Sequence, residues 1–204
     1  PSMELVGCKF VNLRHIGYFP KTFDNCSFST SSDTTKLVTN SAFAIGSAIW
    51  PITKNCSFTI NAGWFQMVGQ DVIENTRFLF DNNINRVILV RVKLHKCSLI
   101  SNVNTIERRN DNFGASGNDI VLNDCYINWP GTGNNGIGGY SSTITMHANN
   151  CYFYNSPLVL RSSYIRVTNS YLELCRISNA TGGSTGETEF TNCVFYNCRG
   201  SAAK

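Results

Sequence analysis

The chain has 204 residues, enough for one domain with a sizeable core, and residues 1–204 are expected to form a single domain. Its formal net charge of +4 is mild, and the basic residues between Arg86 and Lys96 alternate with apolar ones. This pattern favours a solvated strand over a nucleic-acid surface. No apolar run approaches ~18 residues, so a membrane-spanning helix is excluded.

The composition predicts an all-β chain with many turns. Hydrophobic residues make up 42% of the sequence and charged residues only 15%, so Asn, Ser and Thr must cover much of the surface. Asn and Gly tolerate left-handed turns, while Ser and Thr suit the surfaces of sheets. The Ala/Glu/Lys/Leu periodicity of a helical protein is missing.

A four-residue cassette recurs nine times along the chain. Its members share a turn-forming first residue, usually Asn, then a small residue, usually Cys, a variable residue, and an aromatic or aliphatic residue. In chain order they are Gly7–Phe10, Asn25–Phe28, Asn55–Phe58, Asn75–Phe78, Lys96–Leu99, Asp124–Ile127, Asn150–Phe153, Asn169–Leu172 and Asn192–Phe195. Successive second positions are 18 to 30 residues apart, a period typical of solenoids with insertions in their loops.

Each cassette follows a short alternating segment. The residue three before the Cys position is apolar in every repeat except at Thr53, and the Cys position and the one two further on face the same way. Alternation on both sides of the Asn predicts two short strands joined at a bend. We expect a buried ladder of Asn amides, in which removal of Asn150 or Asn169 costs about 1–3 kcal/mol. We also expect Phe10, Phe28, Phe58, Phe78, Phe153 and Phe195 to stack inside.

On these cassettes the chain resembles the pectate-lyase-like superfamily of right-handed parallel β-helices. Among its members the chain is most similar to the β-helical regions of bacteriophage tailspikes and tail fibres. The resemblance implies a right-handed, single-stranded parallel β-helix of about eight or nine coils, here expected to be an excerpt of a longer chain. A leucine-rich repeat fits less well because the Leu-x-x-Leu-x-Leu spacing is absent, and an immunoglobulin-like sandwich does not repeat such a cassette.

The cysteines occupy structural positions in this pattern. Seven of the nine lie at the second cassette position, which also accepts Thr76 and Ser170. Cys175 and Cys198 each lie five residues after that position and form a second short ladder. The odd count and the single file predict free, buried thiols and synthesis in a reducing compartment. No CxxC pair or finger-type Cys/His spacing occurs, so neither a metal site nor a cofactor is predicted.

One outward column becomes aromatic in the last four coils. Its expected members are Tyr126, Tyr152, Tyr154, Tyr171, Glu173 and Tyr196, with Trp129 nearby. Aromatic rings beside amides suit the apolar faces and hydroxyls of sugars. Tyr and Trp are equally enriched at subunit interfaces, and an ordinary exposed strand is the third interpretation.

A second candidate site lies in the long insertion before Asp119. Glu107, Asp111 and Asp119, with Arg108 or Arg109, form the one cluster that offers both carboxylates and a base. Glycoside hydrolysis needs two carboxylates about 5–9.5 Å apart, and lyase chemistry needs a base. Solvated salt bridges are the alternative interpretation of these residues.

The resemblance to phage tailspikes then implies a function. We expect a structural and glycan-recognition module that forms a homotrimer and binds bacterial surface polysaccharide. Its expected location is the virion tail, after synthesis in the host cytoplasm, or else a secreted bacterial protein. The alternatives are a polysaccharide lyase or glycoside hydrolase of the β-helix type, and a purely architectural trimer segment.

Overall fold

The computed structural model describes residues 3–14, 20–31, 50–68, 72–90, 92–101, 119–130, 144–160, 163–179 and 187–201. These residues form 21 strands. In chain order they are β1 (Glu4–Val6), β2 (Lys9–Leu13), β3 (Thr22–Asp24), β4 (Ser27–Thr30), β5 (Ile52–Lys54), β6 (Ser57–Val68), β7 (Val72–Glu74), β8 (Arg77–Val90), β9 (Lys93–His95), β10 (Ser98–Ser101), β11 (Asp119–Asn123), β12 (Tyr126–Asn128), β13 (Ile144–Asn149), β14 (Tyr152–Tyr154), β15 (Pro157–Leu160), β16 (Ser163–Thr168), β17 (Tyr171–Glu173), β18 (Arg176–Asn179), β19 (Glu187–Thr191), β20 (Val194–Tyr196) and β21 (Arg199–Ser201).

The strands stack into three parallel sheets. The first sheet has the order β1-β3-β5-β7-β9-β11-β13-β16-β19, and the second has the order β2-β4-β6-β8-β10-β12-β14-β17-β20. Among the described strands, a third sheet with the order β15-β18-β21 is formed by the last coils. Consecutive strands of the chain thus lie in different sheets, and each coil pairs with the next. The prediction of an all-β parallel solenoid is confirmed.

The bend between the first two sheets is made by the first cassette residue. Asn25, Asn55, Asn75, Asn150 and their non-glycine equivalents have φ between 45° and 55°, and Gly7 has φ 63°. In this left-handed region Asn is favoured because its short polar side chain tolerates the backbone. From Gly7 to Asn169, the backbone N–H of each bend residue donates to the next coil, as in Asn55 N to Glu74 O at 3.1 Å. The bends therefore lock neighbouring coils in register.

The second cassette residue caps this bend from inside. The Cys97 thiol donates to the carbonyl oxygen of His95 at 3.3 Å, and the hydroxyl of Thr76 donates to Glu74 O at 2.8 Å. Ser170 makes the same contact with Thr168 O at 2.7 Å. The position therefore selects a small side chain that carries a hydrogen-bond donor. All nine cysteines are free thiols, as the repeat pattern predicts, but the expected burial is wrong for Cys8, Cys193 and Cys198, which are only partly buried.

The aromatic position of the cassette forms a stack in the core. Phe28 and Phe58 have ring centroids 4.7 Å apart and nearly parallel planes, and Phe78 continues the stack at 5.2 Å. Phe153 is also fully buried, whereas Phe10 is only partly buried. The prediction of a buried ring is wrong for Phe195, which is 45% exposed because no described strand pairs beyond β20.

The Asn ladder forms, but at the surface. Asn75 Nδ2 donates to Asn55 Oδ1 at 2.9 Å, and Asn192 Nδ2 donates to Asn169 Oδ1 at 2.7 Å. Asn150 and Asn169 are exposed, so the expected penalty for a buried, unpaired amide is wrong. The remaining reason for Asn at these two positions is its tolerance of a left-handed backbone, since both residues have φ near 50°.

Replacement of Asn150 by Ala should lower the free energy of unfolding by about 1 kcal/mol, because a Cβ-bearing residue without a local polar side chain is disfavoured at φ 53°. Asn150→Gly is the matched control, since it also removes the bond to Asp124 but tolerates this backbone. Urea unfolding followed by circular dichroism measures both. Equal losses in the two variants would contradict a backbone origin.

Phe58→Ala should destabilise the chain by about 3–5 kcal/mol, because it empties the centre of the aromatic stack. Phe195→Ala should cost about 1 kcal/mol or less, because that ring is half in solvent. The same unfolding measurement compares them. A loss at Phe195 as large as that at Phe58 would mean that the last coil is covered in solution.

Candidate functional site

Four parallel strands of the second sheet position the aromatic column. β12, β14, β17 and β20 pair so that Tyr126, Tyr152 and Tyr171 lie in register. The next outward position aligns Tyr154, Glu173 and Tyr196. We call these six residues the tyrosine face. Because side chains alternate along a strand, all six leave the sheet on its outer side.

The rings of the tyrosine face pack on one another. The centroids of Tyr126 and Tyr152 are 5.4 Å apart with an interplanar angle of 63°, and those of Tyr152 and Tyr171 are 5.3 Å apart at 75°. Tyr154 packs edge-to-face on Tyr152 at 6.3 Å. These edge-to-face contacts are favourable for aromatic pairs. Neighbouring rings therefore cannot both present their flat sides outward in the same direction.

Glu173 is held within this face by a tyrosine. The hydroxyl of Tyr152 donates a hydrogen bond to Oε2 of Glu173, one coil further along. This bond to the carboxylate favours the protonated phenol and, with burial and the charge of Glu173, raises the pKa of Tyr152 to about 12. Burial and the charge of Glu173 also raise the pKa of Tyr171. At neutral pH both phenols are therefore hydrogen-bond donors.

The bend amides border the tyrosine face on one side. Asn150 Nδ2 donates to Asp124 Oδ1 at 2.6 Å, and Asn169 Nδ2 donates to Asn149 Oδ1 at 2.8 Å. Together with the tyrosines they line an open groove of ≈ 860 Å³ that crosses several coils. Each amide donates to its neighbour on the adjacent coil, and its remaining hydrogen-bonding groups lie at the solvent edge. The groove thus combines apolar ring surface with polar groups.

Trp129 does not belong to this surface, and the prediction that it lies nearby is wrong. Its side chain is fully buried and packs edge-to-face on Phe80, with centroids 5.3 Å apart. The physical reason is the alternation of side chains along a strand. Trp129 is four residues, an even number, after the inward-facing Cys125 and so faces inward as well.

The predicted carboxylate cluster lies almost wholly outside the described residues. Glu107, Arg108, Arg109 and Asp111 fall in the undescribed stretch before Asp119, which begins β11. The catalytic hypothesis for these residues stays a prediction. Among the described residues, no group of three or more His, Cys, Asp or Glu side chains could hold a metal ion. Nor does any helix in these segments have the length and hydropathy to cross a bilayer.

Sequence reasoning missed a second bend, between the second and third sheets. Asn155, Leu174 and Asn197 all have positive φ there, between 47° and 54°. Ser156 and Cys175 follow two of them and are buried, so this bend repeats the logic of the first one. The signal that could have revealed it is the pair Asn155-Ser156 in line with Asn197-Cys198, which copies the cassette.

The comparisons with known proteins add no relative. No protein-family model matches the chain, and neither a curated protein nor a solved structure shows significant similarity to it. The fold and the geometry of the described residues therefore carry the functional argument.

Glu173→Gln should lower the pKa of Tyr152 from about 12 towards the ordinary value of 10, because the carboxylate that favours the protonated phenol loses its charge. Ultraviolet titration of tyrosine ionisation measures this shift. Tyr152→Phe identifies which transition belongs to Tyr152. An unchanged profile in Glu173→Gln would show that the two side chains are not bonded in solution.

Proposed function

We propose that this chain is a structural and glycan-recognition module, in which the tyrosine face binds a saccharide. The observation that supports it is the in-register file of Tyr126, Tyr152 and Tyr171 beside exposed amides. Aromatic rings offer apolar surface for the C–H faces of sugars, and phenols and amides satisfy sugar hydroxyls. A parallel solenoid supplies the rigid support, because each of these strands is hydrogen-bonded to its neighbours.

The ring geometry favours one direction for the saccharide. Tyr152 is steeply inclined to both of its neighbours, so adjacent rings cannot lie flat against the same face of a saccharide. Tyr126 and Tyr171 are two strand spacings apart, roughly 9–10 Å. A saccharide that contacts both therefore runs across the coils, parallel to the stacking direction of the strands.

The biological setting follows from the resemblance to pectate-lyase-like β-helices. We place the module in a bacteriophage tailspike or tail fibre, as a homotrimer in the virion tail that binds bacterial surface polysaccharide. This part of the proposal rests on analogy of fold and repeat. The parallel sheets, buried aromatic stack and long insertions between strands are compatible with it.

A subunit interface is the second candidate for the same face. Tyr171 is 38% exposed, and its neighbours Val194 and Tyr196 are 57% and 52% exposed. Exposed aromatic and apolar side chains that adjoin one another are typical of protein–protein contacts. A trimer could bury this end of the face and leave Tyr126 and Tyr152 for the saccharide.

The double variant Tyr152→Ser/Tyr171→Ser should lose binding to an array of bacterial surface polysaccharides while its sedimentation velocity stays that of the wild type. The reason is that it removes the ring surface but no core side chain. Tyr164→Ser is the matched control, because Tyr164 is 45% exposed on the first sheet, away from the groove.

Each alternative outcome has a definite meaning. Dissociation of the oligomer in the double variant would favour the interface over the saccharide. Unchanged binding and unchanged sedimentation would overturn both candidates. A wild-type chain that sediments as a monomer would contradict the trimer.

A further inference from the structure

A second groove lies at the bend between the second and third sheets. It is lined by Asn155, Leu174, Arg176, Asn197 and Arg199, together with the thiols of the short Cys ladder. Arg176 begins β18 and Arg199 begins β21, and the two residues are paired in register on adjacent coils. Their side chains are exposed and leave the sheet on the same side.

This pair of arginines is electrostatically unfavourable by itself. Like charges directly opposite each other on neighbouring strands destabilise a sheet. Among the described strand pairs it is the one pair of like charges in register. Elsewhere opposite charges align, as in Lys54 with Glu74 at 3.2 Å and Arg166 with Glu189 at 2.8 Å.

No carboxylate of the described residues neutralises the two guanidinium groups. The described ion pairs involve Lys54, His95 and Arg166, not Arg176 or Arg199. Glu173 is only three residues before Arg176, but its carboxylate accepts the hydrogen bond from Tyr152 on the other side of the bend. Among the residues that the structure describes, the groove thus carries two positive charges and no carboxylate.

The bend next to the arginines keeps free amide donors. At the first bend five Asn amides, those of Asn55, Asn75, Asn150, Asn169 and Asn192, donate to a neighbouring coil. At the second bend Leu174 separates Asn155 from Asn197 and interrupts such a ladder. Leu174 is the one apolar residue among the described non-glycine residues with positive φ, and its side chain is 44% exposed. The amides on either side of it face solvent.

We propose that Arg176 and Arg199 bind a tetrahedral dianion, the phosphate or sulfate group of a small ligand, with help from the amides of Asn155 and Asn197. Two guanidinium groups match the double charge, and their planar forks form paired hydrogen bonds with the oxygens of such groups. A ligand between the coils would replace the repulsion of the two arginines by two attractions. The site lies around the bend from the tyrosine face and does not depend on the saccharide proposal.

Isothermal titration calorimetry at pH 7.5 and low salt tests the site with three probes: inorganic phosphate, glucose 6-phosphate and glucose. At this pH the phosphates are largely dianionic. We expect either phosphate to bind and glucose not to bind. Arg176→Gln and Arg199→Gln should each weaken phosphate binding by about tenfold or more, because each removes charge-assisted hydrogen bonds.

Arg166→Gln is the matched control, since it removes one exposed positive charge from the first sheet and should leave phosphate affinity within about twofold. Tighter binding of glucose 6-phosphate than of inorganic phosphate would identify a sugar ester as the source of the group, and the reverse would identify the free ion. Equal weakening in Arg166→Gln, or no binding of either phosphate at millimolar concentration, would overturn the proposal.

Discussion

The structure depends on one local device, a left-handed residue followed by a small hydrogen-bond donor. The left-handed residue turns the chain from one sheet to the next, and its N–H bonds the coil beyond it. The donor that follows turns inward and satisfies the carbonyl two residues earlier, whether it is the thiol of Cys97 or the hydroxyl of Thr76. A larger side chain would not fit between the coils, and an apolar one would leave that carbonyl without this partner. Cys is suitable because it is small, buried readily and still donates.

Because this device fixes the bend, it also fixes which side chains face outward. Whether a side chain between two bends faces inward or outward depends on whether its distance from the bend is even or odd. Residues at the same distance in successive coils therefore align in columns on the surface. Tyr126, Tyr152 and Tyr171 align because each directly follows the inward donor of its own coil. Insertions of different length enter between strands without disturbing this register, as the uneven repeat spacing requires.

The same rule explains how far the sequence could be interpreted. The cassettes predicted the parallel stack, the first bend and the composition of the tyrosine face, because all three follow from the repeated alternation of inward and outward side chains. Trp129 was misplaced because the inward and outward alternation was not extended beyond the last residue of the cassette. The alternation gives the direction of a side chain but not its exposure to solvent, which depends on what covers the position. The exposure of Phe195 and of the ladder amides could therefore not be predicted. The second bend escaped notice because Leu174 replaces Asn in the middle of it.

Leu174 also explains how two surfaces of different chemistry can lie so close together. Only two residues separate Glu173 from Arg176, so the two are at most roughly 10–11 Å apart along an extended backbone. Opposite charges this close would ordinarily be expected to pair. The left-handed turn at Leu174 instead directs Glu173 onto the tyrosine face, where Tyr152 binds it, and Arg176 onto the third sheet beside Arg199. The bend therefore keeps the carboxylate of Glu173 on the tyrosine face and the two unpaired guanidinium groups of Arg176 and Arg199 on the third sheet.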